Sequence, residues 1–163
     1  MSSLYTTSGK SEFDALIQAV LNNTGEPTLG QMLTRAQWDV LATYMQPGNL
    51  TPGQVLIKQR AEDRTLYFVE SGMLTVHFED GAGKIHLASV GGGSVLGEGG
   101  FFSQMARSAT VQAGSACKLW SLSPMRFTEM SNRQPLTALA LAMALGAIMA
   151  KRVVSNRKRI TIA

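Results

Sequence analysis

The chain has 163 residues, 45% of them hydrophobic and 16% charged, with 16 glycines; this supports one globular domain with extensions and excludes a disordered chain or two full cores. Its only cysteine, Cys117, excludes an intramolecular disulfide and a cysteine metal cluster within one chain, and suits a reducing, cytoplasmic setting. Net charge is +4, but residues 1–150 carry ten Lys/Arg against eleven Asp/Glu while residues 151–163 carry five basic side chains and no acid, so a near-neutral body precedes a basic tail.

The first residues, Met1, Ser2, Ser3, Leu4 and Tyr5, lack the basic start and apolar stretch of a secretion signal. Ser11 precedes Glu12 and an apolar series at helical spacing, Phe13, Leu16, Ile17, Val20 and Leu21, which predicts a helix capped near Ser11 and ended by Asn22, Asn23 and Gly25. Thr34 is expected to open a second short helix with Trp38, Leu41 and Met45 on one face. Residues 1–31 are thus an N-terminal helical extension.

From Pro47 to Ser123 the pattern changes to short β-type runs at 55–57, 66–69, 73–78, 85–90, 109–113 and 117–122, separated by Gly, Pro and Asp. Strands spaced this evenly predict a closed antiparallel β-roll or jelly roll. The turn at Asp80, Gly81, Ala82 and Gly83 predicts a hairpin in which Glu79 faces Lys84, which would also set His77 opposite His86. Those histidines with Glu79 nearby define the least favoured alternative, a small metalloenzyme.

After Pro124 the strand signal stops. A short helix is expected over 125–130, and Pro135 then suits the first turn of a long helix running to about Arg159. That helix is apolar nearly all round from 136 to 150, too short a run for the roughly 20 residues of a bilayer span, so a second copy is expected to cover what the β-domain does not. Homodimerisation through residues 136–150 follows. Lys151, Arg152, Arg157, Lys158 and Arg159 complement the helix dipole at its C-terminal end.

One segment reads as an anion site. Between two strands lie Gly97, Glu98, Gly99 and Gly100, followed by Arg107 and Ser108. A helical turn starting near Gly97 would present free backbone N–H groups, glycines would let a phosphate approach closely, and Arg107 would supply a bidentate cation. Glu98 is out of place against a phosphate alone, but fits a ligand that also carries a hydroxyl donor such as a ribose 2′-OH. Phosphate plus sugar hydroxyl implies a nucleotide.

Over 32–159 the sequence resembles the cyclic nucleotide-binding domain family. The resemblance is carried by Pro52, Gly53, Gln54, Val55 and Leu56, by Leu66, Tyr67, Phe68, Val69 and Gly72, by the turn at Asp80 and Gly81, and above all by the spacing of Gly97 and Glu98 from Arg107, Ser108, Ala109, Thr110 and Val111. It implies a mainly β domain over 32–134, an antiparallel β-roll with N-terminal helices and, over 135–163, a long C-terminal helix acting as lid and dimerisation element. It also implies that Glu98 binds the ribose, that Arg107 binds the cyclic phosphate with Gly99, Gly100 and Ser108 adding donors, and that Val95 and Leu96 line the base or sugar pocket.

Ungapped counting from Arg107 places Arg152 and Val153 where catabolite activators of the family set a Thr-Ser pair against adenine, so Arg152 becomes the candidate partner of the base. Only a few residues follow Arg159, so no DNA-reading domain is expected within the chain. The expected activity is that of a cytoplasmic, non-enzymatic sensor without cofactor or metal. It binds cyclic AMP or cyclic GMP and signals through its last helix to a dimer mate or an unidentified downstream protein. The alternatives are a dimeric interaction module with a degenerate pocket and a receptor for a cyclic dinucleotide.

Overall fold

The computed structural model describes the backbone of residues 8–162 and the side chains of residues 13–155. In chain order the elements are α1 (Ser8–Asn22), α2 (Arg35–Ala42), β1 (Gln46–Leu50), β2 (Val55–Ile57), β3 (Leu66–Ser71), β4 (Leu74–Glu79), β5 (Ile85–Val90), β6 (Val95–Leu96), α3 (Glu98–Ser103), β7 (Thr110–Ala113), β8 (Cys117–Leu122), α4 (Pro124–Arg133) and α5 (Pro135–Ile162). Two four-stranded antiparallel sheets, ordered β1-β8-β3-β6 and β2-β7-β4-β5, face each other as a β-roll.

Alternation along β3 and β8 divides the core in two. Leu66 and Phe68 of β3 with Trp120 and Leu122 of β8 turn toward the helices, where they meet Phe13, Leu16, Leu41, Leu141, Leu145 and Ile148. Val69 and Leu119, on the opposite face, pack between the sheets with Leu50, Ile57, Leu74, Leu96 and Val111. Phe13 meets Trp120 edge-on at 5.0 Å, which fixes α1 against the sheet and contributes about 0.5–1.5 kcal/mol beyond area burial. The long helix α5 is therefore a core element along one face.

Several sequence expectations need correcting. Helix α1 begins at Ser8, so Ser11 lies inside it and does not cap it. Thr34 does cap α2, in a reciprocal capping box with Gln37, but the helix ends at Ala42 and buried Met45 lies beyond it. The β4–β5 hairpin is shifted by one residue. Asp80 pairs with Lys84 through its backbone, and its Oδ1 accepts from Ala82 and Lys84, so Glu79 faces Ile85. His77 then lies opposite Leu87 and His86 opposite Phe78, with the two histidines on opposite faces of the sheet. His86 stacks on Phe78 at 4.6 Å and bonds Asp80 at 2.9 Å, so the metal constellation does not assemble.

By composition and length the window Pro135–Ser155, of mean hydropathy 1.6, would suffice to cross a membrane, which is longer than the apolar run judged from sequence. Here its Ala138, Leu141, Ala144, Leu145 and Ile148 are buried against the β-roll and helices.

Candidate functional site

A cavity of about 450 Å³ opens between the β-roll, α3 and the distal part of α5. Its inner wall is apolar: Ile57, Val76, Leu96 and Val111 from both sheets. Gly97, Glu98, Gly99, Gly100, Arg107 and Ser108 form one side, and Arg152 and Ser155 of α5 close another. All of the phosphate and ribose residues expected from sequence are brought together here.

Arg107 is the centre of the site. It is 4% exposed, although it sits just before β7 and carries a full charge. Its Nη2 donates to Asp63 Oδ2 at 2.7 Å and to the Thr65 carbonyl at 2.6 Å, and its Nη1 donates to the Gly97 carbonyl at 3.1 Å. These contacts pin the guanidinium while leaving Nε as a buried donor with no partner among the described residues. A buried unpaired donor on a charged group costs about 1–3 kcal/mol.

Asp63 escaped the sequence reading because it lies 44 residues before its partner in a loop without motif character. Burial pushes its carboxyl up, but the hydrogen bonds from Arg107 and Thr65 outweigh that and hold it below the ordinary carboxylate range. Asp63 is thus an anchor for the Arg107 fork.

Gly97 makes the close approach possible. It takes φ +84°, and a Cβ there would stand 2.5 Å from Arg107 Nη1 and 2.8 Å from the Thr65 carbonyl. Helix α3 starts immediately after it, with no side-chain cap, so the N–H groups of its first turn lack an intrahelical partner; Phe101 N–H returns to the Gly97 carbonyl at 3.1 Å.

Glu98 and Arg152 are paired across the cavity mouth. Arg152 Nη1 bonds Glu98 Oε1, and Arg152 Nη2 donates to the Val95 carbonyl at 2.8 Å. Arg152, counted from sequence as a partner for a base, is therefore tied to the residue expected to hold a ribose. Leu96 lines the cavity, but Val95 does not: successive residues of β6 face opposite ways, and the Val95 side chain belongs to the helix-side core.

The sequence reading also missed the loop after α1. Gly25, Glu26 and Pro27 line the same cavity, and Glu26 Oε2 accepts from the buried Ser94 hydroxyl at 2.8 Å. No residue pattern in that loop announces a ligand; only the docking of α1 brings it there.

The profile of the cyclic nucleotide-binding domain family matches residues 47–134, more than half of the chain. Among curated proteins, Glutaminase 2 of Bradyrhizobium diazoefficiens is 32% identical over 112 residues, which is 69% of this chain but 17% of that protein. The cAMP-activated global transcriptional regulator CRP of Escherichia coli O6:H1 is 33% identical over 100 residues, 60% of this chain and 46% of that protein. The chain thus spans less than half the length of both. Among solved structures, a cyclic nucleotide-binding domain from Methylobacillus flagellatus KT aligns with a TM-score of 0.80 at 19% identity, covering 94% of this chain and 84% of that one. The Thermus thermophilus catabolite activator protein aligns with a TM-score of 0.69 at 24% identity, covering 82% of this chain and 62% of that one. These two likenesses concern the fold.

Proposed function

We propose that this chain, which belongs to the cyclic nucleotide-binding domain family, binds a cyclic nucleotide as a regulatory sensor rather than acting as a catalyst. The observation that carries this reading is the buried Arg107 guanidinium, held in place by Asp63 and two carbonyls, where Arg107 lines the cavity beside Gly97, Gly99 and Gly100. A cyclic phosphate is the anion that fits this fixed cation together with the glycines at the start of α3. Glu98 Oε1 is engaged by Arg152, and its Oε2 is left for a ribose hydroxyl.

Arg152 then joins α5 to the ligand. On the outer side of the same helix Leu136, Leu139, Met143, Gly146, Ala150 and Val153 are all exposed. Their spacing alternates three and four residues, the seam of a two-helix coiled coil, and Gly146 and Ala150 permit close approach. That stripe supports a homodimer through residues 136–150, to which ligand capture would be relayed.

Calorimetric titration of the purified chain with cyclic AMP, cyclic GMP and a cyclic dinucleotide, repeated on Arg107→Ala, tests the reading. One ligand per chain, with affinity reduced by about 2–4 kcal/mol in the variant, is expected from the loss of charge-assisted bonds. Silence from every ligand in the unmodified chain would refute it and favour an interaction module built on the α5 seam.

A further inference from the structure

The cavity contains a second carboxylate that a phosphate and a ribose do not use. Glu26 sits in the α1–α2 connection, and that loop is built to stay in place. Asn23 Oδ1 accepts from the backbone N–H groups of Gly25 at 3.1 Å and Glu26 at 3.2 Å, while Asn23 Nδ2 donates to the Gly92 carbonyl at 2.9 Å. Gly93, at φ +87°, lets the last turn of α1 come so near that a Cβ would stand 2.4 Å from the Ala19 carbonyl. The fully buried Ser94 hydroxyl then donates to Glu26 Oε2, and Glu26 lines the cavity.

Position follows from the chain between Ser94 and Gly97. Arg107 bonds Gly97, Arg152 bonds Val95 and Glu98, and Glu26 bonds Ser94. Two strand residues, Val95 and Leu96, lie between the two ends, so three residue steps span about 10 Å at about 3.3 Å per residue. A nucleotide with its phosphate on Arg107 and its sugar on Glu98 lies in the cavity that Glu26 and Ser155 also line.

We infer that Glu26 is a specificity-determining residue that reads the ligand's base, and that the base it selects is guanine. A carboxylate only accepts hydrogen bonds. Guanine presents two adjacent donors, N1–H and the 2-amino group, to such an acceptor. Adenine presents its amino group beside a ring-nitrogen lone pair, which faces the carboxylate with repulsion. A site built around N–H donors rejects analogues that lack them more strongly than an apolar pocket does. The inference rests on the phosphate lying at Arg107, as proposed above.

The experiment is titration of the chain and of Glu26→Gln with cyclic GMP, cyclic AMP, cyclic IMP and cyclic di-GMP. The unmodified chain is expected to prefer cyclic GMP over cyclic AMP by at least about tenfold, with cyclic IMP, which lacks the 2-amino group, in between. Glu26→Gln is expected to bring cyclic GMP and cyclic AMP within about threefold, because the new amide donates to adenine as readily as it accepts from guanine. Should that variant unfold, Glu26→Asp, which retracts the carboxylate by one methylene, carries the same test. Tighter binding of cyclic di-GMP with the same dependence on Glu26 keeps the guanine assignment and names the dinucleotide as its source. Equal or tighter binding of cyclic AMP by the unmodified chain, or an unchanged preference in the variant, overturns the inference while leaving Arg107-dependent binding intact. Absence of all binding overturns the proposed function as well.

Discussion

Gly97→Ala is the substitution most directly tied to the geometry of the site. The residue carries φ +84°, a conformation that costs an L-residue about 1 kcal/mol. The added Cβ would stand 2.5 Å from Arg107 Nη1, and that tip cannot swing aside because Asp63 and the Thr65 carbonyl hold the neighbouring Nη2. Either the guanidinium leaves its place or the start of α3 retreats. Both routes break the bond between Arg107 and the Gly97 carbonyl and displace the guanidinium, forfeiting one charge-assisted bond to the ligand worth about 1.5–3 kcal/mol. The expected loss is therefore on the order of 10- to 100-fold in Kd, with about 1–2 kcal/mol of folding stability. Gly81→Ala is the control: it lies in the β4–β5 turn outside the cavity wall, without a positive φ, and nothing lies within 4 Å of its added Cβ. Urea unfolding and titration of both variants make the comparison. A folded Gly97→Ala chain that binds within about threefold of the unmodified protein would refute the argument.

Asp63 gives a pH signature. Its folded pKa lies below the unfolded value, so its contribution is present above the unfolded value of 3.8 and is lost as pH falls through the folded one; ligand affinity should decline over that acid range, and Asp63→Asn should make this decline shallower while weakening binding at neutral pH. Arg152→Ala removes a partly exposed pair, so it should change stability by less than about 1 kcal/mol, yet hydrogen exchange across residues 135–155 should no longer respond to ligand. Paired Leu139→Glu and Met143→Glu place like charges on the exposed seam of α5, and light scattering should find a monomer that still binds one ligand per chain.

The strands and the anion segment were legible because both follow local rules: runs of apolar and β-branched residues between turn formers, and glycines spaced from an arginine. Elements that break those rules were not. β1 contains Pro47 and Gly48, which read as a loop, yet it is the edge strand beside β8, where a missing N–H is tolerated. β6 has only two residues, too few for any alternation to show. The hairpin register failed by one residue because the Asp80 carboxylate bonds two backbone groups within the turn, which moves the residue facing Glu79 from Lys84 to Ile85. Asp63 and Glu26 were invisible for a common reason: each acquires its role from a contact more than 40 residues away, Asp63 with Arg107 and Glu26 with Ser94. The anion residues could be recognised from spacing; the groups that orient them could not.

Three features meet on α5, and the angular spacing of a helix constrains how they can be coupled. Its buried stripe is fixed in the core, Arg152 engages the site, and Val153 belongs to the exposed seam. Neighbouring residues are about 100° apart around the axis, so a rotation that withdraws Arg152 from Glu98 must also turn Val153 relative to any partner helix. A second link runs through the aromatic rings: Phe101 of α3 meets Phe127 of α4 edge-on at 5.2 Å, and α4 leads directly into α5. Ligand can bias this helix only by the difference in its affinity for the two arrangements, about 1.4 kcal/mol for each tenfold shift. The Glu98–Arg152 pair is where that difference would arise, because a ribose hydroxyl changes the hydrogen bonding of the carboxylate that Arg152 holds. Deleting Arg152 should therefore uncouple the helix more than it weakens the site, whereas deleting Arg107 should do the reverse.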